Sequence, residues 1–306
     1  MRGLAVSVCI VTTLLTAGCS KSTTKDDLLF IHHSCGLNWL NRPRNFLKRG
    51  LHAALLRKPY IHERNDITYG TVVEPDPGRP DSLGPVAGDK TDMQHWVLWF
   101  NDYLEHLKTH GCTNGVNRII MFKSCFPNSD ISGDGTAPGD PFSEERTLAN
   151  YQAVFRHPAG SGNTYTQDGQ TYLALENVFA ANPGFLFIPV TAPPLESGST
   201  SDENARRARQ FNDWLKGDWL EAYRTRTGLR NVAVFDWFDL LAYADDHGQH
   251  PNRLREDYGW GGGNSHPNAK ANGVSTKVFA GGQGSFIDKA WQAFQATAPS
   301  GGDDTN

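Results

Sequence analysis

A short apolar run, Leu28-Leu-Phe-Ile-His-His-Ser34, stops at a hydroxyl, and Gly36 follows two residues later. Far downstream, Asn264-Ser-His-Pro-Asn268 sets His266 in a polar, glycine-rich stretch just before the last amphipathic segment. A serine hydroxyl is a weak nucleophile at neutral pH unless a positioned base takes its proton. A strand ending in Ser34 and a late loop carrying His266 could supply that pair. Pro267 would then fix the chain direction as a helix begins. Each residue also has a plainer reading, Ser34 as a turn serine and His266 as a helix-capping histidine.

A third element lies in Met121-Phe-Lys-Ser-Cys-Phe-Pro-Asn128. An asparagine just beyond a strand can donate a hydrogen bond to a developing oxyanion, and backbone N–H groups near Ser34 and Gly70 could supply the others. Asn128 could equally be a turn residue after Pro127. Ser124 is a reserve nucleophile, and Lys123 could line the same pocket. His32 and His33 are neighbours on a strand and point to opposite faces, so they do not bind one metal together.

The elements needed to position these residues are legible as an alternation of period. Buried strands are predicted at Leu28–His32, Asp66–Tyr69, Arg118–Lys123, Gly184–Thr191 and Asn231–Phe235. Helices are predicted between them. One carries Trp96, Trp99, Phe100, Tyr103, Leu104 and Leu107 on one face with Asp92 as its cap; others span Ser143–Arg156, Thr171–Asn182, Asp202–Thr227 and Asn268–Thr297. Short apolar strands separated by helices imply a parallel sheet covered on both faces. Ligands of such sheets sit outside the carboxyl ends of the strands, where Ser34, Gly70, Ser124, Thr191 and Asp236 all fall.

Serine after the first strand, glycine after the second, asparagine after the third and histidine before the last helix: in this order the chain resembles the SGNH/GDSL hydrolase superfamily. The resemblance covers residues 28–299, nearly the whole chain after its leader. It implies a flavodoxin-like, three-layer α/β/α sandwich with a five-stranded parallel sheet. It also implies ester hydrolysis without a metal or other cofactor, with Ser34 as nucleophile, His266 as base, and Ser34, Gly70 and Asn128 as oxyanion donors. Three departures stand out. His32-His33-Ser34 replaces Gly-Asp-Ser, Phe126-Pro-Asn-Ser129 replaces the asparagine block, and Gly263 occupies the place of the aspartate that precedes the histidine by three. The acid could then be Asp257 or Asp236, or a backbone carbonyl could orient the ring of a Ser–His dyad.

The first residues read as a targeting segment. Arg2 precedes an apolar stretch from Leu4 to Leu15, and Thr16-Ala-Gly18 leads to Cys19. This resembles a bacterial lipoprotein signal over residues 1–19, with Cys19 lipidated, residues 20–27 as a polar tether and residues 300–306 as a disordered tail; an ordinary secretory signal is the alternative. Either reading takes the protein out of the cytoplasm, the lipoprotein to the cell envelope (periplasmic or surface) and the secretory alternative to free secretion. Cys35, Cys112 and Cys125 remain, and Cys35 and Cys125 could be bridged or be two buried thiols. A net charge of −4 gives no footprint for nucleic acid. Eleven histidines contain no His-Glu-x-x-His.

An exported ester hydrolase meets polymers, and Trp39, Trp237 and Trp260 could stack on sugar rings at the rim. The expected substrate is thus an acylated, chiefly acetylated, polysaccharide. The competing reading is a non-catalytic lipoprotein that binds glycan on the same fold, and a lipid or short-chain esterase is a third.

Overall fold

The computed structural model describes residues 26–41, 50–68, 90–157 and 164–298. The leader with Cys19, Gly70 and the tail from residue 300 lie outside the described residues. The elements run in the order β1 (Asp26–Ile31), α1 (Cys35–Asn41), α2 (Leu51–Leu55), β2 (Ile61–Ile67), α3 (His95–Asp102), α4 (Leu104–Thr109) and β3 (Ile119–Lys123). They continue with α5 (Leu148–Phe155), the small antiparallel hairpin β4–β5 (Tyr165–Gln167 and Gln170–Tyr172), α6 (Leu175–Ala181) and β6 (Leu186–Val190). Helices α7 (Asp202–Trp214), α8 (Leu220–Thr227), α9 (Trp237–Leu241), α10 (Ala269–Ala280) and α11 (Phe286–Thr297) complete the chain. Among the described residues, no helix is long and apolar enough to cross a membrane.

The main sheet has four parallel strands in the order β2-β1-β3-β6. Strands β1, β3 and β6 read as apolar runs because both faces are covered, whereas the edge strand β2 is polar and partly exposed. Leu29, Ile31, Ile120, Phe122 and Phe187 face one buried cluster with Trp96, Phe100, Phe179 and Phe211. Leu28, Phe30, Ile119, Met121 and Ile188 face the other, with Trp39, Trp237, Phe279 and Phe294. Helices therefore flank the sheet on both sides.

The expected fifth strand is replaced by a looser segment. Val232 and Phe235 make only isolated parallel bridges to Phe187 and Val190. The hydrogen bonds Phe187 N–H to Asn231, Ala233 N–H to Phe187, Phe235 N–H to Pro189 and Thr191 N–H to Phe235 are present. The bond that would run from residue 189 is missing because proline has no N–H, and the ladder breaks there.

Other boundaries moved for local reasons. Asp26 and Asp27 pair within β1, so the domain begins inside the stretch expected as a tether. The helix expected after Asp92 is two helices that break at Tyr103, and Asp92 does not cap the first. The stretch expected as one helix over Asp202–Thr227 contains a π turn at Leu215–Trp219. Its apolar residues Phe211, Leu215, Trp219 and Tyr223 recur every fourth residue, a stripe that drifts by about 40° per step on an α-helix. The wider turn brings them back over one face.

Candidate active site

The site forms where the strand order reverses, between the carboxyl ends of β1 and β3. At the end of β1 the chain turns sharply. Gly36 N–H donates to the His33 carbonyl at 3.0 Å and Asn38 N–H to the Ser34 carbonyl at 3.0 Å. Ser34 takes φ of 45°, a left-handed conformation that L-residues seldom adopt. That turn lifts the hydroxyl out of the strand direction at the start of α1, and the Ser34 N–H has no partner among the described residues. Gly36 is required by crowding: a Cβ there would meet His32 Cβ at 2.6 Å.

His266 comes from the loop between α9 and α10. Its neighbours anchor it on both sides. Ser265 is buried and accepts a hydrogen bond from Glu196 N–H at 3.1 Å. Asn268 caps α10 through Lys270 and Ala271 N–H groups and donates to Gly259 O at 2.7 Å. Asn272 donates to the Pro267 carbonyl at 3.2 Å. Held this way, His266 Nε2 is in direct hydrogen-bond contact with Ser34 Oγ across 232 residues of sequence. The Phe126 ring packs edge-on against the imidazole with centroids 5.0 Å apart.

The other ring nitrogen finds an amide. His266 Nδ1 lies 2.8 Å from Asn264 Oδ1, which also accepts the His266 N–H at 3.2 Å. An acceptor at Nδ1 puts the ring proton there and leaves Nε2 free to take a proton from Ser34. The orienting group is thus neither of the expected acids nor a backbone carbonyl but an amide, whose signal in the sequence is a short polar side chain two residues before the histidine. Neither proposed acid reaches the ring. Asp257 is held by Lys270 at 2.6 Å and Arg255 at 3.2 Å. Asp236 caps α9 and binds Lys216 at 2.6 Å and Thr191 at 3.0 Å.

Burial pushes the His266 imidazole below its ordinary value; Lys123 and His33 add to this and Cys125 opposes it. The ring is therefore neutral, the form a general base needs, from somewhat below the ordinary histidine range upward.

Asn128 lies in a single turn of 3-10 helix, Phe126–Ser129, beyond β3. Its amide is oriented by three partners: Nδ2 donates to Asp92 Oδ1 at 2.6 Å, while Oδ1 accepts from Met93 N–H at 2.9 Å and the Tyr151 hydroxyl at 3.4 Å. Among the described residues the second Nδ2 hydrogen meets no acceptor. Ser124 is buried and its Oγ accepts from the Trp96 indole at 2.9 Å, so the reserve nucleophile has a packing role. His33 faces Thr91 through Nδ1.

His32 is fully buried, with Nε2 3.6 Å from Asp66 Oδ2. Burial pushes it down to about 4. Cys35 and Cys125 are two free buried thiols, with Cys125 Sγ donating to Cys35 Sγ at 3.3 Å.

The aromatic rim expected from sequence is reduced to one residue. Trp39 and Trp237 are fully buried and stack on each other at 4.7 Å. Their indoles bind the Thr276 and Ser275 hydroxyls of α10, so they join helices rather than greet a ligand. Trp260 is 53% exposed on the loop leading to His266, followed by Gly261, Gly262 and Gly263, all at positive φ.

No family model matches the chain, and no curated protein matches it. A solved structure of a proposed acylhydrolase from Bacteroides fragilis is similar, with a TM-score of 0.41 and 14% identity over 91% of this chain and 93% of that one. A likeness of that degree leaves the chemistry to be argued from Ser34, His266 and Asn264.

Proposed function

We propose that the chain is a serine ester hydrolase of the SGNH type. Ser34 Oγ attacks the ester carbonyl while His266 Nε2 takes its proton. The imidazolium that forms is held by Asn264, and it returns the proton to the departing alcohol. Water then enters by the same route, with His266 again as base, and releases the acid. The oxyanion would be met by the Ser34 N–H and the spare Asn128 amide hydrogen. The superfamily resemblance adds Gly70. The reaction written this way uses no metal and no organic cofactor.

The observation that carries the reading is the hydrogen bond between Ser34 Oγ and His266 Nε2, with the imidazole held from its far side by Asn264. A merely structural histidine would not need to meet a serine in a left-handed turn at the strand ends. The substrate we favour is an acetylated polysaccharide, for which Trp260 beside the histidine loop offers a face to a sugar ring. The leader reading would put the enzyme in the cell envelope, tethered through a lipidated Cys19.

The test is hydrolysis of 4-nitrophenyl acetate and butyrate by the purified protein beside Ser34→Ala and His266→Ala. Loss of at least about ten-thousandfold in kcat/KM in both variants is the expected result. Folded wild type without turnover on these esters or on acetylated xylan would refute catalysis and leave glycan binding.

A further inference from the structure

Lys123 stands at the end of β3, in register beyond the Ile31–Phe122 pair and therefore beside His32 and His33 of the neighbouring strand. It is fully buried. Among the described residues no carboxylate forms an ion pair with it. Its Nζ instead donates to the His33 carbonyl at 3.4 Å and lies 6.0 Å from the centre of the Trp237 ring. Its charge also falls on His32, on the Cys35–Cys125 pair and on His266.

Burying an ammonium without a counter-ion is costly, and an aliphatic residue would fill the same space at no such cost. The partner it has chosen is informative. The His33 carbonyl is the acceptor that closes the turn around Ser34, through Gly36 N–H at 3.0 Å. A second donor on that oxygen holds the peptide plane immediately before a residue in a left-handed conformation.

We propose that Lys123 is a positioning residue of this site: its ammonium fixes the His33 carbonyl, and with it the turn that presents Ser34. The proposal rests on the reading of Ser34 and His266 as a hydrolytic pair. Around His266 the charged and titratable groups are Lys123 and Cys125 from β3 and its end, and His33 from the end of β1. The Lys123 charge adds to burial in lowering the imidazole, so its removal favours protonation of the ring. The Gly36 N–H bond to the His33 carbonyl does not depend on Lys123.

The experiment compares the wild-type protein with Lys123→Met and Lys123→Arg, using 4-nitrophenyl acetate across pH and NMR titration of the His266 ring. Lys123→Met is expected to lower kcat about tenfold with little change in KM, because the nucleophile is misplaced rather than the substrate. Its acid limb and the His266 titration midpoint should both move to higher pH. Lys123→Arg should keep the wild-type limb and midpoint. A folded Lys123→Met protein with wild-type kcat overturns the positioning role, and one with an unmoved midpoint removes the charge from it. Should Lys123→Met fail to fold, nitrogen NMR of Nζ in the wild type decides: an amine signal at neutral pH, in place of an ammonium, overturns it. The ring titration needs no turnover, so a moved midpoint in a protein without esterase activity would sink the hydrolase reading and keep the charge assignment. An unmoved midpoint in an active enzyme would do the reverse.

Discussion

His266 turns Nδ1 to the side-chain oxygen of Asn264, 2.8 Å away, and so offers Nε2 to Ser34. Asn264 thus fills the orienting place that an aspartate would hold, without supplying a charge. It sets the tautomer and the ring plane, but stabilises an imidazolium only through its amide dipole.

Asn264→Ala should therefore lower kcat on 4-nitrophenyl acetate by about a hundredfold with KM little changed, since the ring loses its orientation and the ester its base. Asn264→Asp should retain activity and shift the acid limb upward, because a carboxylate favours the protonated ring. Steady-state kinetics across pH distinguishes the two, and equal behaviour of both variants would remove Asn264 from the mechanism.

The pH profile of the wild type follows from the burial of His266. The proposed mechanism needs the neutral imidazole, so activity should be present above its folded value and lost as pH falls through it. Burial lowers that value, which places the acid limb of kcat/KM below the ordinary histidine value of 6.5. A limb well above 6.5 would show a nearby carboxylate at work instead.

His32 makes stability itself sensitive to acid. Its folded value is depressed to about 4 from 6.5, so in that window the unfolded chain binds the proton and the native chain does not. Stability is accordingly full above about 6.5 and falls as pH drops toward 4, by about 3 kcal/mol for this group alone. Asp66, held below its ordinary value chiefly by His32, loses stability in the same direction at still lower pH. Urea unfolding at a series of pH values should show the decline, and His32→Gln should flatten it.

Gly36 tests the packing under Ser34. A Cβ at this position would meet the His32 Cβ at 2.6 Å and Cγ at 2.8 Å, atoms near the backbone of a buried strand end that have little room to retreat. Gly36→Ala should cost about 1–3 kcal/mol in urea unfolding and displace Ser34 with it. An unchanged midpoint would mean that α1 can lift off the sheet more freely than its contacts imply.

Trp260 separates polymer from small ester. Trp260→Ala should raise KM on acetylated polysaccharide several-fold and leave kcat/KM on 4-nitrophenyl acetate unchanged, if the ring, 53% exposed, serves a sugar beyond the scissile ester. Parallel losses on both substrates would instead make Trp260 a support of the histidine loop.

Much of this site was legible in one dimension. β1, β3 and β6 are buried on both faces, so they appear as apolar runs whose ends mark the rim of the sheet, and Ser34 stands at one such end. His266 was legible because a polar glycine-rich loop and a proline announce the start of α10. What the tertiary structure alone decided depended on direction and distance. Pro189 reads as an ordinary member of β6 until its nitrogen is seen to face the fifth segment, where a missing N–H breaks the ladder. Trp39, Trp237 and Trp260 look alike as residues near strand ends or loops; only the packing of α1 and α9 on α10 buries two of them. Asn264 carries no charge and sits at no expected spacing. Its role exists only once the loop folds back and sets its oxygen against Nδ1. Apolar periodicity is a property of the chain that burial must respect, so sequence reveals it. A hydrogen bond between side chains depends on where a loop has folded, and that is settled by everything the loop packs against.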